Sequence, residues 1–423
     1  MYNFGRYNMN PLKQQTKEID SYFLTWKQLN PKPYDKKKTS PYTKTRVILM
    51  NGTEYESVWF MHNFARHCKD KDIKEALAVI RAQEQQQQKR ISCLKPIDES
   101  ILETTIGYEQ LAIDLTATLA KNETDENNRK ALDFALLEDF DHLYRYANLL
   151  KQDENIDAKI LVGEQTEITP GRPTINEHRY PIDNLRPHMN AKTAETFSKL
   201  VGCIITAAEQ QTMNYYMNVA GFYKNEEGRK LYAEIAMVEE EHVTQYESLK
   251  DPNLSWLEQW VMHEYAECYL YYSMMKDETD SSIKKIWEEH FEMEVAHLKT
   301  ACYFLDKYEH KSVEDVVGVL EFPQLLTLGQ NIEYVHQVLA NTAYDTFTHG
   351  DYVDSRKLTD ECNLCKYNKL LGRDTKTDPS HMVINNSIKE FGQDYRFEAK
   401  PNPVEELKDR TKDNTTVGFP NCK

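Results

Sequence analysis

Glu239 and His242 stand three residues apart in the stretch VEEEHVTQY, and Glu294 and His297 repeat the spacing in MEVAHL. On a helix, residues three apart share a face. Ile235, Ala236, Val243 and Tyr246 surround the first pair on that face. Trp287, His290, Phe291, Leu298 and Ala301 surround the second, so both pairs are expected to face a core. Asp139 and His142 are spaced alike. A glutamate precedes each pair's acid by 30 residues: Glu109 before Asp139, Glu209 before Glu239, Glu264 before Glu294.

The elements that must position these residues follow from the same spacing. The interval midpoints, Thr124, Lys224 and Thr279, fall in the polar breaks KNETDENN, YKNEEG and KDETDSS, which hold turn and capping residues. A helical hairpin folded at each break brings a glutamate level with a Glu/Asp-x-x-His pair. Apolar periodicity predicts long helices at 99–121, 126–151, 191–222, 226–250, 254–276 and 281–309. The turn KDPNLS, centred on Asn253, also levels Glu239 with Glu267 and His242 with Glu264. Glu209, Glu239, His242, Glu264, Glu267, Glu294 and His297 are therefore expected at about one level of a four-helix bundle at 191–310.

Carboxylates buried together without partners take up protons or destabilise the fold. Two divalent metal ions relieve that cost. A glutamate from each of two helices plus Glu-x-x-His from two others is the ligand set of di-iron and di-manganese carboxylate bundles, and imidazole suits iron. An alternative centre combines Glu109, Asp139 and His142 with Glu209, Glu239 and His242. The 191–310 arrangement is favoured because its acids are all glutamate and its spacing closes on itself, which leaves 99–151 as a diverged hairpin repeat.

On these residues the segment 191–310 resembles the ferritin-like superfamily, and its rubrerythrin branch in particular, because HEYAECYL supplies Glu264-x-x-Glu267 where that branch carries an extra carboxylate. The resemblance implies an all-α, ferritin-like four-helix bundle with an additional hairpin and peripheral helices. It also implies two iron ions, or manganese, held by the seven residues above. Glu267 would act as a mobile carboxylate that switches between ligand and proton carrier. The implied activity is reduction of hydrogen peroxide or dioxygen with electrons from an external donor. Two other readings stay open: a di-metal oxygenase or oxidase acting on an organic substrate, and a non-catalytic metal-binding or scaffold protein. A homodimer is compatible with each. Rubrerythrins use a four-cysteine electron site and place their long crossover between the metal-binding hairpins. This chain has a single CxxC, Cys362 and Cys365, and only residues 251–253 between those hairpins.

The remaining chain reads as an irregular N-terminal segment (1–98) with one polar helix at 74–90, a crossover linker rich in Pro, Gly and Asn (152–190), and C-terminal helices and tail (311–423). Helical patterns in that last part lie near 313–320 and 324–344. A formal charge of -16 argues against a nucleic-acid partner. No apolar run of membrane-spanning length and no signal-peptide core is present, so the expectation is a cytoplasmic protein without a membrane partner. The scattered cysteines suggest reduced thiols. Glu138 and Asp141 read as flank charges, the latter within reach of Arg145. Tyr216, Tyr246 and Tyr271, with His263 and His290, lie close to the proposed ligands.

Overall fold

The computed structural model describes residues 9–373 and 377–392. The first eight residues and the end of the expected tail lie outside the described residues. The chain is predominantly helical, and among the described residues eight long helices form four antiparallel hairpins. These are α1 (Pro41–His67) with α2 (Lys71–Ser92), α3 (Ile101–Asn122) with α4 (Glu126–Glu154), α6 (Thr196–Phe222) with α7 (Glu226–Ser248), and α8 (Trp256–Asp277) with α9 (Ser281–Glu309); the short α5 (Ala158–Val162) lies in the crossover. Each second helix starts at a side-chain cap, Asp70, Asp125, Asn225 or Asp280, that accepts from backbone N–H groups of the first turn. Ser100 and Ser255 close capping boxes at the starts of α3 and α8.

The hairpins pair differently from the 191–310 expectation. Helices α6 and α7 pack against α3 and α4, whereas α8 and α9 pack against α1 and α2. Two four-helix groups result. The first helices of the hairpins form the seam between them, with α1 against α3 and α6, and α6 against α8. The physical reason is that each hairpin buries an acidic inner face. A second hairpin of the same kind is needed to cover it, and the N-terminal region supplies one more such hairpin than the periodicity suggested.

That additional hairpin corrects the reading of residues 1–70 as irregular. Helix α1 touches α2, α3, α6 and α8. Its buried positions, among them Thr45, Leu49, Glu54, Ser57 and Phe60, cover all but the face of Lys44, Asn51, Tyr55, Trp59 and His62 and mix polar with apolar residues, so no clean apolar stripe marks the helix.

The crossover is not an exposed linker. Residues 166–174 are buried, Arg172 reaches the carbonyl of Phe134 at 2.9 Å, and Gly171 N–H donates to Asp141 Oδ1 at 2.9 Å. A Cβ at Gly171 would lie 2.8 Å from the Leu137 carbonyl oxygen, so this backbone approaches α4 too closely for any side chain.

After α9 come α10 (Val313–Val317) and α11 (Ile332–Thr342). An antiparallel pair follows, β1 (Asp345–Thr348) and β2 (Asp351–Asp354), turning through His349 and Gly350 at positive φ. Helices α12 (Asn363–Leu370) and α13 (Pro379–Phe391) complete the described chain, and α13 packs on α4 and α7. Cys362 is a free thiol that caps α12. Cys365 is disulfide-bonded, which corrects the expectation of uniformly reduced cysteines. Among the described residues no helix is long and apolar enough to cross a membrane.

Candidate metal centres

The inner faces of the two helix groups carry two separate clusters. In the first, Glu109 comes from α3, Asp139 and His142 from α4, Glu209 from α6, and Glu239 and His242 from α7; all are buried. The 30-residue intervals put them at one depth, as hairpin geometry requires. Their ligand atoms form two overlapping sets. Glu109, Asp139, His142 and Glu239 lie within 4.8 Å of one another, and so do Asp139, Glu209, Glu239 and His242. Asp139 and Glu239 belong to both sets and stand where carboxylates bridging two ions would stand.

Both imidazoles turn Nδ1 inward. Nδ1 of His142 is 3.1 Å from Glu239 Oε1, and Nδ1 of His242 is 3.2 Å from Glu239 Oε2. The outer nitrogen of His242 meets an anchoring acid, Nε2 lying 2.8 Å from Glu138 Oε2, whereas Nε2 of His142 makes no hydrogen bond and has Glu177 Oε2 at 3.6 Å. For His242 the N–H donated outward leaves Nδ1 as the atom that becomes the ligand once its proton is lost, the usual arrangement around metal-bound histidine. Glu138 is itself fixed by Arg179 Nη1 at 2.5 Å.

The second cluster joins Glu54 of α1 and Glu84 of α2 to Glu264 and Glu267 of α8 and Glu294 and His297 of α9. Nδ1 of His297 faces Glu84 Oε1 at 2.9 Å and Glu294 Oε2 at 3.1 Å, while its Nε2 meets Gln83 Oε1 at 2.9 Å. Several carboxylates have one oxygen held from outside. Tyr216 donates to Glu109, Tyr271 to Glu54, Trp260 to Glu264 and Ser57 to Glu267. The other oxygen of each of these four accepts nothing, nor does either oxygen of Asp139 or Glu209, and Glu84 has only the contact of Oε1 with His297. Buried acceptors left without donors are what a cation would satisfy, and the donor set of neutral imidazole and carboxylate suits a divalent metal.

The electrostatics agree. Burial holds Glu109 and Asp139 well above the carboxylate range, and neighbouring acids add to it. Burial also pushes Glu209 up to about 7. Glu239 is the exception: burial raises it, but hydrogen bonds from His142 and His242 overcome that and hold it down at about 2. Burial would lower His142 and His242, yet the acids around them drive both well above the ordinary histidine range. In the second cluster burial raises Glu54, Glu264 and Glu267 well above the usual range, with neighbouring carboxylates contributing. Each cluster thus has an excess of negative charge that only protons or cations can offset.

The seven residues expected at one centre are divided between two. Glu209, Glu239 and His242 join Glu109, Asp139 and His142, the combination kept as the alternative above. Glu264, Glu267, Glu294 and His297 lie in the other cluster. Glu267 therefore stands with Glu54 and Glu84, apart from Glu239. Glu54 and Glu84 escaped the sequence reading. Their signal is the same interval, 54 to 84, but Gln87 occupies the place of the histidine and the QEQQQQ tract reads as a polar surface helix. Glu138 is buried and anchors His242 instead of lying on a flank. Asp141 does reach Arg145, at 2.9 Å, but in the interior. His290 contacts Tyr271 at 3.1 Å beside the second cluster, whereas His263 pairs with Glu56 at 2.9 Å.

Against this geometry, the chain matches no family model, no curated protein and no solved structure.

Proposed function

We propose that the first cluster is a di-iron centre of ferritin-like type, able also to accept manganese, through which the protein reduces hydrogen peroxide or dioxygen with electrons from a separate donor. The observation that carries this reading is the balanced ligand set: one terminal glutamate, one inward Nδ1 and two shared carboxylates on each side. Two redox ions bound there would supply the paired electrons that reduction of such a small oxidant needs.

The chain's own residues set the conditions. Glu138 orients the His242 imidazole, Glu177 stands 3.6 Å from His142 Nε2, and Arg179 keeps Glu138 charged. Tyr216 holds Glu109 by donating to Oε1. Four carboxylates neutralise two divalent charges, so the loaded site carries little net charge in a medium where charge is costly. The six residues are at most 1% exposed, which favours a diatomic or peroxide substrate over a bulky organic one.

The test is metal content after anaerobic purification, followed by absorption spectra before and after one equivalent of hydrogen peroxide. Iron bound at this cluster, a ferric absorption change on addition, and loss of both in Glu239→Ala and His242→Ala are expected. Metal without spectral response would leave a binding protein that is not a redox one.

A further inference from the structure

The two clusters are related by a constant offset in sequence: Glu54, Gln83, Glu84 and Gln87 correspond to Glu109, Glu138, Asp139 and His142, and Glu264, Glu294 and His297 to Glu209, Glu239 and His242. The contacts obey the correspondence. Gln83 anchors Nε2 of His297 as Glu138 anchors Nε2 of His242, and Tyr271 holds Glu54 as Tyr216 holds Glu109. Apart from Gln83 standing for Glu138 and Glu84 for Asp139, two departures fall on one side. Gln87 replaces an imidazole, and Glu267 adds a carboxylate with no counterpart in the first cluster, where Ala112 or Thr212 lies at that position on the corresponding helices.

The ligand atoms consequently sort into unlike sets. Glu84, Glu264, Glu294 and His297 form one with an imidazole, and Glu54, Glu84 and Glu267 form another made of oxygen alone. Gln87 Nε2 donates to Glu294 Oε1 at 2.5 Å, which withdraws that oxygen from the second set, while its own amide oxygen is buried and accepts nothing. The buried, unpartnered Gln87 amide oxygen and the unpartnered oxygens of Glu54, Glu84 and Glu267 are the donor types a hard cation takes.

We propose that the second cluster holds two different cations: a transition-metal ion at Glu84, Glu264, Glu294 and His297, and an oxygen-preferring divalent ion of the manganese or magnesium class at Glu54, Glu84 and Glu267, with Gln87 Oε1 as an additional ligand. Glu84 is the carboxylate they share. The charges support it, since this cluster has one more carboxylate and one fewer imidazole than the first, and harder, more strongly hydrated ions prefer such surroundings. The inference shares with the proposed function only the premise that these bundles bind metal.

The test uses the full chain stripped of metal and exposed anaerobically to Co2+ with excess Mn2+. Imidazole-containing positions select cobalt over manganese far more strongly than oxygen-only positions do. At about a hundredfold manganese excess the exchanged protein should retain about three cobalt ions and one manganese per chain, counted by mass spectrometry. Gln87→His should convert the manganese position to cobalt. Glu267→Gln, a nearly isosteric change, should lose manganese and keep cobalt, and it serves if Gln87→His does not fold. Four cobalt ions in the unmodified chain, or manganese unaffected by Glu267→Gln, would overturn the proposal. Two cobalt ions removed together by Glu239→Ala, with nothing else bound, would overturn it while sparing the first centre. One cobalt and one manganese, both insensitive to Glu239→Ala, would sustain the second centre and reject the first.

Discussion

Glu138 Oε2 accepts from Nε2 of His242 at 2.8 Å while Arg179 donates to its other oxygen, Oε1, at 2.5 Å. The imidazole is thereby held with Nδ1 toward Asp139, Glu209 and Glu239 before any ion arrives. Burial alone would raise Glu138, but the Arg179 charge and the His242 contact hold it down at about 2, so it is a permanent anion. Glu138→Gln keeps the hydrogen bond and removes the charge, reproducing Gln83 of the other cluster. Metal affinity at the first centre should fall about tenfold to a hundredfold, measured by chelator competition, with the second centre unchanged.

Asp139→Asn separates metal binding from folding. Burial and the neighbouring acid Glu209 hold the Asp139 pKa well above its ordinary value of 3.8, so its ionised form opposes folding. The sign follows from linkage: at pH values above that ordinary value the unfolded chain releases the proton more readily, and stability is lost as pH rises. The neutral amide should raise the stability of metal-free protein by about 1–2 kcal/mol at pH 7, an advantage that vanishes in acid. In calorimetric melts with added iron or manganese the order should reverse, because the amide is a poorer ligand.

Metal binding should release protons. His142 and His242 are raised well above 6.5, so their protons stabilise the metal-free fold below that value and the contribution is lost as pH rises through the raised values. A metal needs both Nδ1 atoms unprotonated. The shift in melting temperature caused by metal should therefore grow from pH 6 toward pH 9. Calorimetry in buffers of different ionisation enthalpy should count the protons expelled, and a pH-independent shift would exclude these histidines as ligands.

Gly171→Ala tests the crossover. Its new methyl would meet the Leu137 carbonyl oxygen at 2.8 Å and the Asp141 nitrogen at 2.9 Å, both backbone atoms that cannot turn aside. A loss of about 1–3 kcal/mol is expected in denaturant titration. Metal affinity should fall as well, since Glu177 and Arg179 follow on the same strap.

The sequence by itself determined three of the four helical hairpins, their polar turns and the acids at the 30-residue interval within them. The cause is local: three-residue spacing on a helix and a fixed interval about a capped turn dictate which side chains share a depth, wherever the hairpin is placed. It also carried the predominantly helical character, because glycine and proline are scarce and the turns are short. The choice of partner hairpin belonged to the tertiary structure. Glu239 meets Asp139 across α4 and α7 instead of Glu294, because the buried crossover brings α6 and α7 back onto α3 and α4, and nothing in the spacing of Glu239 states which acidic face will cover it. Helix α1 was hidden for a related reason. Being enclosed on several sides, it needs no apolar stripe, and its Glu54 is recognisable as an inward acid only once Glu267 and Glu84 are seen beside it.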